Sequence, residues 1–215
     1  MTLPNREPQN CEPEPAAAAE IFGDRIELAR SFTRALVEQG EERGLIGPVE
    51  LPRLWTRHML NSAIAAPLMH GLVADIGSGA GLPGIVLAIA RPDVRFTLIE
   101  PMERRITWLT EQVAALGLDN VDIVRSRAED VTMKASFDVV TARAVSALRT
   151  LIPLTAPLVT HGGELVLLKG INAEKEIAAA EKVVRRFDLS DVRVEVLGEG
   201  VLAETTRVVR AVVRA

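Results

Sequence analysis

Val73-Ala74-Asp75-Ile76-Gly77-Ser78-Gly79-Ala80-Gly81-Leu82-Pro83-Gly84 is the stretch that decides the fold. A short apolar run enters a loop with four glycines, and an apolar, helix-like segment, Ile85 to Ala90, follows. Strand, tight turn and helix in that order describe a parallel strand whose carboxyl end carries a ligand-binding turn. Glycine has no Cβ, so a ligand can lie against its backbone. The helix is expected to offer free N–H groups and a positive dipole end to an anionic part of that ligand. Twenty-five positions beyond Asp75, a second apolar run, Val94 to Ile99, ends in Glu100. A carboxylate there suits the two hydroxyls of a ribose as a bidentate acceptor. A nucleoside-containing cofactor is the first expectation.

Outward from this stretch the pattern alternates. Strands are expected at 72–76, 94–99, 121–125, 137–142 and 163–168, with helices at 82–91, 102–117, 146–158 and 173–187. In the second of these helices Met102, Ile106, Leu109, Val113 and Leu116 form an apolar stripe, and Gly117 suits the C-cap. Such alternation implies right-handed crossovers and a parallel sheet covered on both faces. The end differs: Val192 to Leu197 and Thr206 to Val213 are strand-like runs joined by a Gly-containing loop, a hairpin with at least one antiparallel strand. Before the sheet, Ala16 to Gln39 reads as a helix with Ile21, Leu28, Phe32 and Ala35 on one face, and Leu51 to Met69 as a second, interrupted near Pro67. Residues 1–15 hold four of the twelve prolines and read as a flexible tail, residues 16–70 as a helical cap, and residues 71–215 as the catalytic domain. The fold class is α/β, Rossmann-like, with an antiparallel C-terminal hairpin and an N-terminal helical cap.

Bulk properties narrow the field. The chain has 215 residues, 48% hydrophobic content and a mean hydropathy of +0.19, enough for a well-filled core. No apolar run approaches the roughly 18 to 20 residues of a membrane span. Residues 1–20 lack the apolar core of a signal peptide. A single cysteine, Cys11, rules out an internal disulfide and suits a reducing cytoplasm. The net charge of −4 and pI near 5.5 argue against a wholly basic surface but allow a local basic rim. His58, His70 and His161 show no metal-ligand spacing.

Three cofactors compete for the glycine loop. Gly79, Gly81 and Gly84 make the dinucleotide pattern G-x-G-x-x-G, but two residues too late; counted from Gly77, the third glycine position is Leu82. A nucleoside triphosphate would need GK[ST], which is absent. Asp75, Gly77, Gly79 and Gly81 match instead the acid-then-G-x-G-x-G of S-adenosylmethionine-dependent methyltransferases. That cofactor ends in an amino acid where a dinucleotide has pyrophosphate, and Asp75 suits its ammonium group. The third strand leads into Arg127-Ala128-Glu129-Asp130, where such enzymes place residues beside the adenine ring.

The acceptor is constrained by absences. Methylation at C5 of a pyrimidine needs a cysteine nucleophile, and Cys11 precedes the fold. After the fourth strand the chain reads Val140-Thr141-Ala142-Arg143-Ala144, without the Asn/Asp-Pro-Pro-aromatic motif of exocyclic amino methylation, and it has no tyrosine. A nucleophile with a free lone pair remains, such as a purine ring nitrogen; N7 of guanine needs no base, only alignment.

Together, Trp55-Thr56-Arg57-His58-Met59-Leu60-Asn61-Ser62, the stretch Asp75 to Gly84, Arg127-Ala128-Glu129, Thr141-Ala142-Arg143-Ala144 and Leu168-Lys169-Gly170 resemble the bacterial RsmG (GidB) family. The resemblance runs from about Phe22 to Val213 and implies methylation of N7 of a guanosine in 16S ribosomal RNA, within the small ribosomal subunit or its precursor. It implies a cytoplasmic enzyme, not membrane-bound, with a monomer as the expected state. It further implies cofactor contacts at Gly77, Leu82, Ala128, Glu129 and Arg143, beside Asp75, Ser78, Gly79 and Gly81 of the loop and Glu100 at the ribose. Arg57, His58, Arg127, Lys169 and Arg207 are the candidates for an RNA-facing basic rim, Arg207 resembling a family arginine at the start of the last strand. No side chain is assigned as a general base or nucleophile, because the mechanism rests on proximity. The family usually has Asp at Asn61 and often Ser at Thr141, both mild departures.

Overall fold

The computed structural model describes residues 11–214. In chain order its main elements are α1 (Ala17–Phe22), α2 (Ile26–Gln39), α3 (Asn61–Ala63), β1 (Leu72–Ile76), α4 (Gly84–Ala90), β2 (Arg95–Glu100), α5 (Glu103–Leu116), β3 (Val121–Arg125), β4 (Phe137–Arg143), α6 (Leu148–Thr155), β5 (Val159–Lys169), α7 (Ala173–Ala179), α8 (Glu181–Arg186), β6 (Leu189–Leu197) and β7 (Thr206–Val213). The strands form one sheet in the order β3-β2-β1-β4-β5-β7-β6. β1 to β5 are parallel to their neighbours, whereas β7 runs antiparallel to both β5 and β6. The last hairpin therefore folds back so that its second strand, not its first, joins the parallel set.

Strand order reverses between β1 and β4, the place where open α/β sheets leave a crevice beyond their carboxyl ends. Asp75 lies in register with Leu98 of β2 on one side and Thr141 of β4 on the other, so it stands at that reversal. One apolar cluster joins the cap to one face of the sheet through Phe32, Leu36, Ile85, Leu98 and Trp108; a second, with Ile99, Val140, Leu151 and Leu167, fills the other face. α4 is buried almost along its whole length, which explains why its sequence is a continuous apolar run.

The cap departs from its expected form. The first helix is broken at Gly23, whose φ of +50° is a conformation that favours glycine, and a short 3₁₀ turn spans Gly23–Arg25. Its second half then buries Ala29, Phe32, Thr33 and Leu36, so the stripe read through the break is rotated and Leu28 and Ala35 lie at its edge. The second expected helix, 51–69, is a series of short turns: 3₁₀ at Pro48–Arg53, a π-helical turn at Leu54–Leu60, α3, and 3₁₀ at Ala66–Leu68. Pro48, Pro52 and Pro67 each withhold an N–H from a continuous ladder. The π turn carries Arg57 and His58 and buries Leu54, Trp55, Met59 and Leu60.

Other boundaries shift modestly. The helix expected over 173–187 divides at Ala180, and that over 82–91 begins only at Gly84. In α5 the buried stripe is Trp108, Leu109, Gln112 and Leu116, with Met102 exposed outside the helix; Gly117 is the left-handed C-cap at φ +62°. Of the expected tail, residues 1–10 lie outside the described residues. Residues 11–15 are tied to the cap, since Glu12 accepts from the Thr56 hydroxyl and N–H and Glu14 pairs with Arg30. Among the described residues no helix is long and apolar enough to cross a membrane.

Candidate active site

The glycine loop is wired to itself and to β2. The N–H groups of Gly77 and Ser78 both donate to the Ile99 carbonyl, at 2.9 and 3.3 Å, and those of Gly81 and Leu82 donate to the Ser78 carbonyl. Ser78 is buried and its hydroxyl donates to the Asp75 carbonyl at 3.0 Å, so its side chain holds the turn and is not free for a ligand. Leu82 is also buried, packed into the core. The Trp108 indole N–H donates to the Ala80 carbonyl at 2.9 Å and pins the loop from α5. Gly77, Gly79 and Gly81 all have positive φ, and a Cβ on Gly77 would stand 3.0 Å from Val145 Cγ2 across the crevice. Gly84 serves close packing: a Cβ there would lie 2.3 Å from Leu98.

Two carboxylates frame the crevice. Asp75 is fully buried; its Oδ2 accepts from the Gly84 N–H at 3.1 Å and so caps α4, while its Oδ1 has no partner among the described residues. The helix start expected to offer a free N–H to an anion thus gives it to Asp75, a correction with a plain cause: the acid precedes the glycines and reaches the helix first. Burial raises the Asp75 pKa to about 7, against the hydrogen bonds from Ser78 and Gly84 and the charge of Arg143. Glu100, 1% exposed, accepts from the Gly79 N–H and the Met102 N–H, both at 3.0 Å, with Arg105 at 3.5 Å. Its Oε1, with Met102 alone, keeps a lone pair for a further donor, while Oε2 takes both Gly79 and Arg105. Ala128 is buried at the start of a 3₁₀ turn, Ala128–Asp130, and the exposed Glu129 lies 4.0 Å from Arg127.

Beside the crevice opens a second space, a cleft of about 370 Å³. Arg57, His58 and Asn61 of the cap face Arg143, Lys169 and Thr206 across it. The carboxyl ends of β4 and β5 and the amino end of the antiparallel β7 meet here. Arg143 forms the join between crevice and cleft. It donates from Nη2 to His58 Nδ1 at 2.7 Å and from Nη1 to the Arg57 carbonyl at 3.2 Å, while its Nε is buried without a partner among the described residues. Burial brings its pKa down to about 10, opposed by the Asp75 carboxylate. It remains charged at neutral pH.

The expected basic rim is only partly a rim. Arg57 and Arg127 are exposed. His58 is not a surface cation: its side chain is 12% exposed, its Nε2 bonds Glu50 at 2.8 Å, and burial and the nearby Arg143 charge lower its pKa. Lys169, 10% exposed, donates to the Ser146 carbonyl at 2.7 Å and pairs with Glu176 at 2.8 Å, a structural use. Arg207 is half-buried, 4.0 Å from Glu174. Sequence reasoning missed Glu50, Glu176 and Thr206, whose hydroxyl donates to the Asn61 carbonyl at 3.1 Å across 145 positions. No local spacing signals such pairings.

A switch-point crevice with a self-wired glycine loop, an acid before it and an acid at the end of the next strand defines a class: a Rossmann-like, S-adenosylmethionine-dependent methyltransferase. Its fold resembles that of an S-adenosylmethionine-dependent O-methyltransferase from Thermotoga maritima, with a TM-score of 0.53 at 15% identity over 73% of this chain and 65% of that one. Residues 25–205 match the family model described as GidB, rRNA small subunit methyltransferase G. A protein of Leifsonia xyli subsp. xyli called ribosomal RNA small subunit methyltransferase G is 67% identical over 94% of this chain and 98% of its own length. One of the same name from Clavibacter michiganensis subsp. michiganensis is 63% identical over 95% and 98%. The chain belongs to the GidB family of rRNA small subunit methyltransferases.

Proposed function

We propose that this protein methylates N7 of a guanosine in 16S ribosomal RNA, with S-adenosylmethionine as donor. The observation that carries the cofactor half is the pair of acids in a crevice whose loop amides are already spent. A pyrophosphate would meet Asp75 and find few free donors. An ammonium group would meet an acceptor, Asp75 Oδ1, that lacks a partner among the described residues. An unpaired buried carboxylate oxygen is costly, so a cationic partner is favoured there. Glu100 then takes the ribose hydroxyls, Ala128 and the backbone near Glu129 border the adenine, and Gly77, Gly79 and Gly81 let the ligand lie against the loop.

Bound S-adenosylmethionine supplies an electrophilic methyl: the N7 lone pair forms the new C–N bond, the C–S bond breaks, its electron pair returns to sulfur, and no proton is removed. The chain's residues accordingly have to place and hold rather than exchange protons. Arg143 stays charged at the join of crevice and cleft, where it suits the guanine O6 or a phosphate. Arg57 and Arg127 contact phosphates at the surface. The small ribosomal subunit or its precursor supplies shape beyond this modest rim, which reconciles RNA binding with a net charge of −4. A monomer acting in the cytoplasm completes the reading.

The test is mass mapping of modified nucleotides in small-subunit RNA from a strain lacking the gene and from its parent. One 7-methylguanosine present in the parent and lost in the deletion is the expected result. Identical maps would remove the assignment.

A further inference from the structure

A part-buried polar chain runs from the cap to Arg143 beside the cofactor crevice. Glu50, on the 3₁₀ turn Pro48–Arg53, is bonded to His58 Nε2 at 2.8 Å. His58 Nδ1 is bonded to Arg143 Nη2 at 2.7 Å. A guanidinium is a donor only, so Nδ1 must be the bare nitrogen and Nε2 must carry the hydrogen. Glu50 fixes that tautomer from the far side, as carboxylates do for imidazoles that must present one particular nitrogen. The second bond of Arg143, to the Arg57 carbonyl, comes from the same π turn. Both anchors of Arg143 are thus on Arg57 and His58.

We propose that His58 is a positioning residue: while neutral it holds the Arg143 guanidinium at the join of crevice and cleft, and protonation of its ring releases Arg143 and slows methyl transfer. The inference rests on the methyltransferase reading, since it supplies what Arg143 is positioned for. The chemistry is one of sign. A protonated imidazole presents N–H at both nitrogens, so Nδ1 would point a hydrogen at a guanidinium hydrogen. Two cations would then face each other in a half-buried space, with the Glu50 carboxylate on the wrong side of the ring to separate them.

The charged groups around His58 set where this happens. Glu50 favours protonation from the cap, Arg57 on the same turn opposes it, and Arg143 opposes it from β4, with Asp75 behind Arg143. Arg53 reaches toward Glu50 but is paired with Glu204 at 2.7 Å. Lys169 and Glu176 line the opposite wall and neutralise each other. Burial adds to the two arginines, so the ring stays neutral at pH 7 and charges below the ordinary imidazole range. Activity is lost as pH falls, not as it rises.

The chain has three histidines, so ring nitrogen spectra of the full-length protein can be assigned by the signals that vanish in His58→Asn. At pH 7.5 His58 should be the Nε2–H tautomer and should protonate below the ordinary imidazole range. An Nδ1–H tautomer, or protonation above the ordinary imidazole range, overturns the proposal. Kinetics supply the second arm. His58→Ala, and His58→Gln, whose amide reaches the Nε2 position, should lose about tenfold in kcat/KM at pH 8, the loss of one charge-assisted hydrogen bond. His58→Asn puts an acceptor near the Nδ1 position and cannot charge; it should recover most of that loss and lack the His58 step on the acid side. The separate step from Asp75, near pH 7, should persist in all three. Three variants that match one another at every pH would overturn positioning by Nδ1 even if all are slow. Wild-type protein that methylates no ribosomal RNA would sink the underlying reading, while the tautomer still decides the relay.

Discussion

Crevice and cleft meet at Arg143, yet they are built in opposite ways. The crevice comes from one run of chain, Asp75 to Glu100, and most of its contacts are backbone: loop amides on the Ile99 and Ser78 carbonyls, Gly79 on Glu100, Gly84 on Asp75. The cleft comes from side chains of the cap, β4, β5 and β7, joined by bonds such as Thr206 to Asn61 and Arg53 to Glu204, which is 151 positions long in sequence. A shape fixed by backbone in a continuous segment leaves a mark in that segment. A shape fixed by side chains from distant segments leaves none.

The comparison breaks most sharply at Gly77. Gly77→Asp adds a side chain at φ +71°, toward Val145 and into the cofactor space. Calorimetry should find S-adenosylmethionine binding weakened at least about a hundredfold, some 2.7 kcal/mol. Unchanged affinity would mean the crevice is not the cofactor site.

Asp75 offers an effect of similar size, in pH. Its pKa is raised from 3.8 to about 7, so the folded protein without ligand holds a proton that the unfolded chain gives up. Stability from this group is complete below about pH 4 and is lost as pH rises through 7, by up to about 4 kcal/mol. Denaturant unfolding of Asp75→Asn at pH 5 and pH 8 should show this slope removed. Cofactor binding runs the other way: an ammonium prefers the ionised carboxylate, so affinity should rise through pH 7, with proton release on binding below it. A wild-type protein with the same stability and affinity on both sides of pH 7 would show that Asp75 is ionised throughout and faces no cation.

In the cleft the effects are smaller and divide by burial. Lys169→Met leaves Glu176 without its partner in a mostly buried place and should cost about 2 kcal/mol in unfolding experiments, while leaving the salt dependence of RNA binding unchanged. Arg127→Ala should do the reverse: stability unchanged, RNA affinity reduced by less than about 1 kcal/mol, and the salt slope smaller by about one. Equal salt slopes for wild type and Arg127→Ala would take Arg127 off the RNA rim.

These contrasts explain what could be read beforehand. The parallel sheet, its antiparallel terminal hairpin and the crevice were legible because short apolar runs alternate with helical stripes and because Asp75, the glycines and Glu100 lie on consecutive elements. The cap was misread in detail: Gly23 and three prolines break helices whose apolar spacing looks continuous. The carboxylate partners of His58 and Lys169 were not legible. A basic residue on a helical turn or at a strand end looks the same in sequence whether it faces a phosphate or a carboxylate brought near by folding, and Glu50 and Glu176 are such carboxylates. Arg143 was placed at the cofactor, while its two bonds to the cap come only from the fold.

The most direct test is transfer of isotopically labelled methyl from S-adenosylmethionine to purified small-subunit RNA or particles, followed by digestion to nucleosides. The label should appear in 7-methylguanosine alone with the wild-type protein and be absent with Gly77→Asp. Label in any other nucleoside, or transfer that survives Gly77→Asp, would contradict the account.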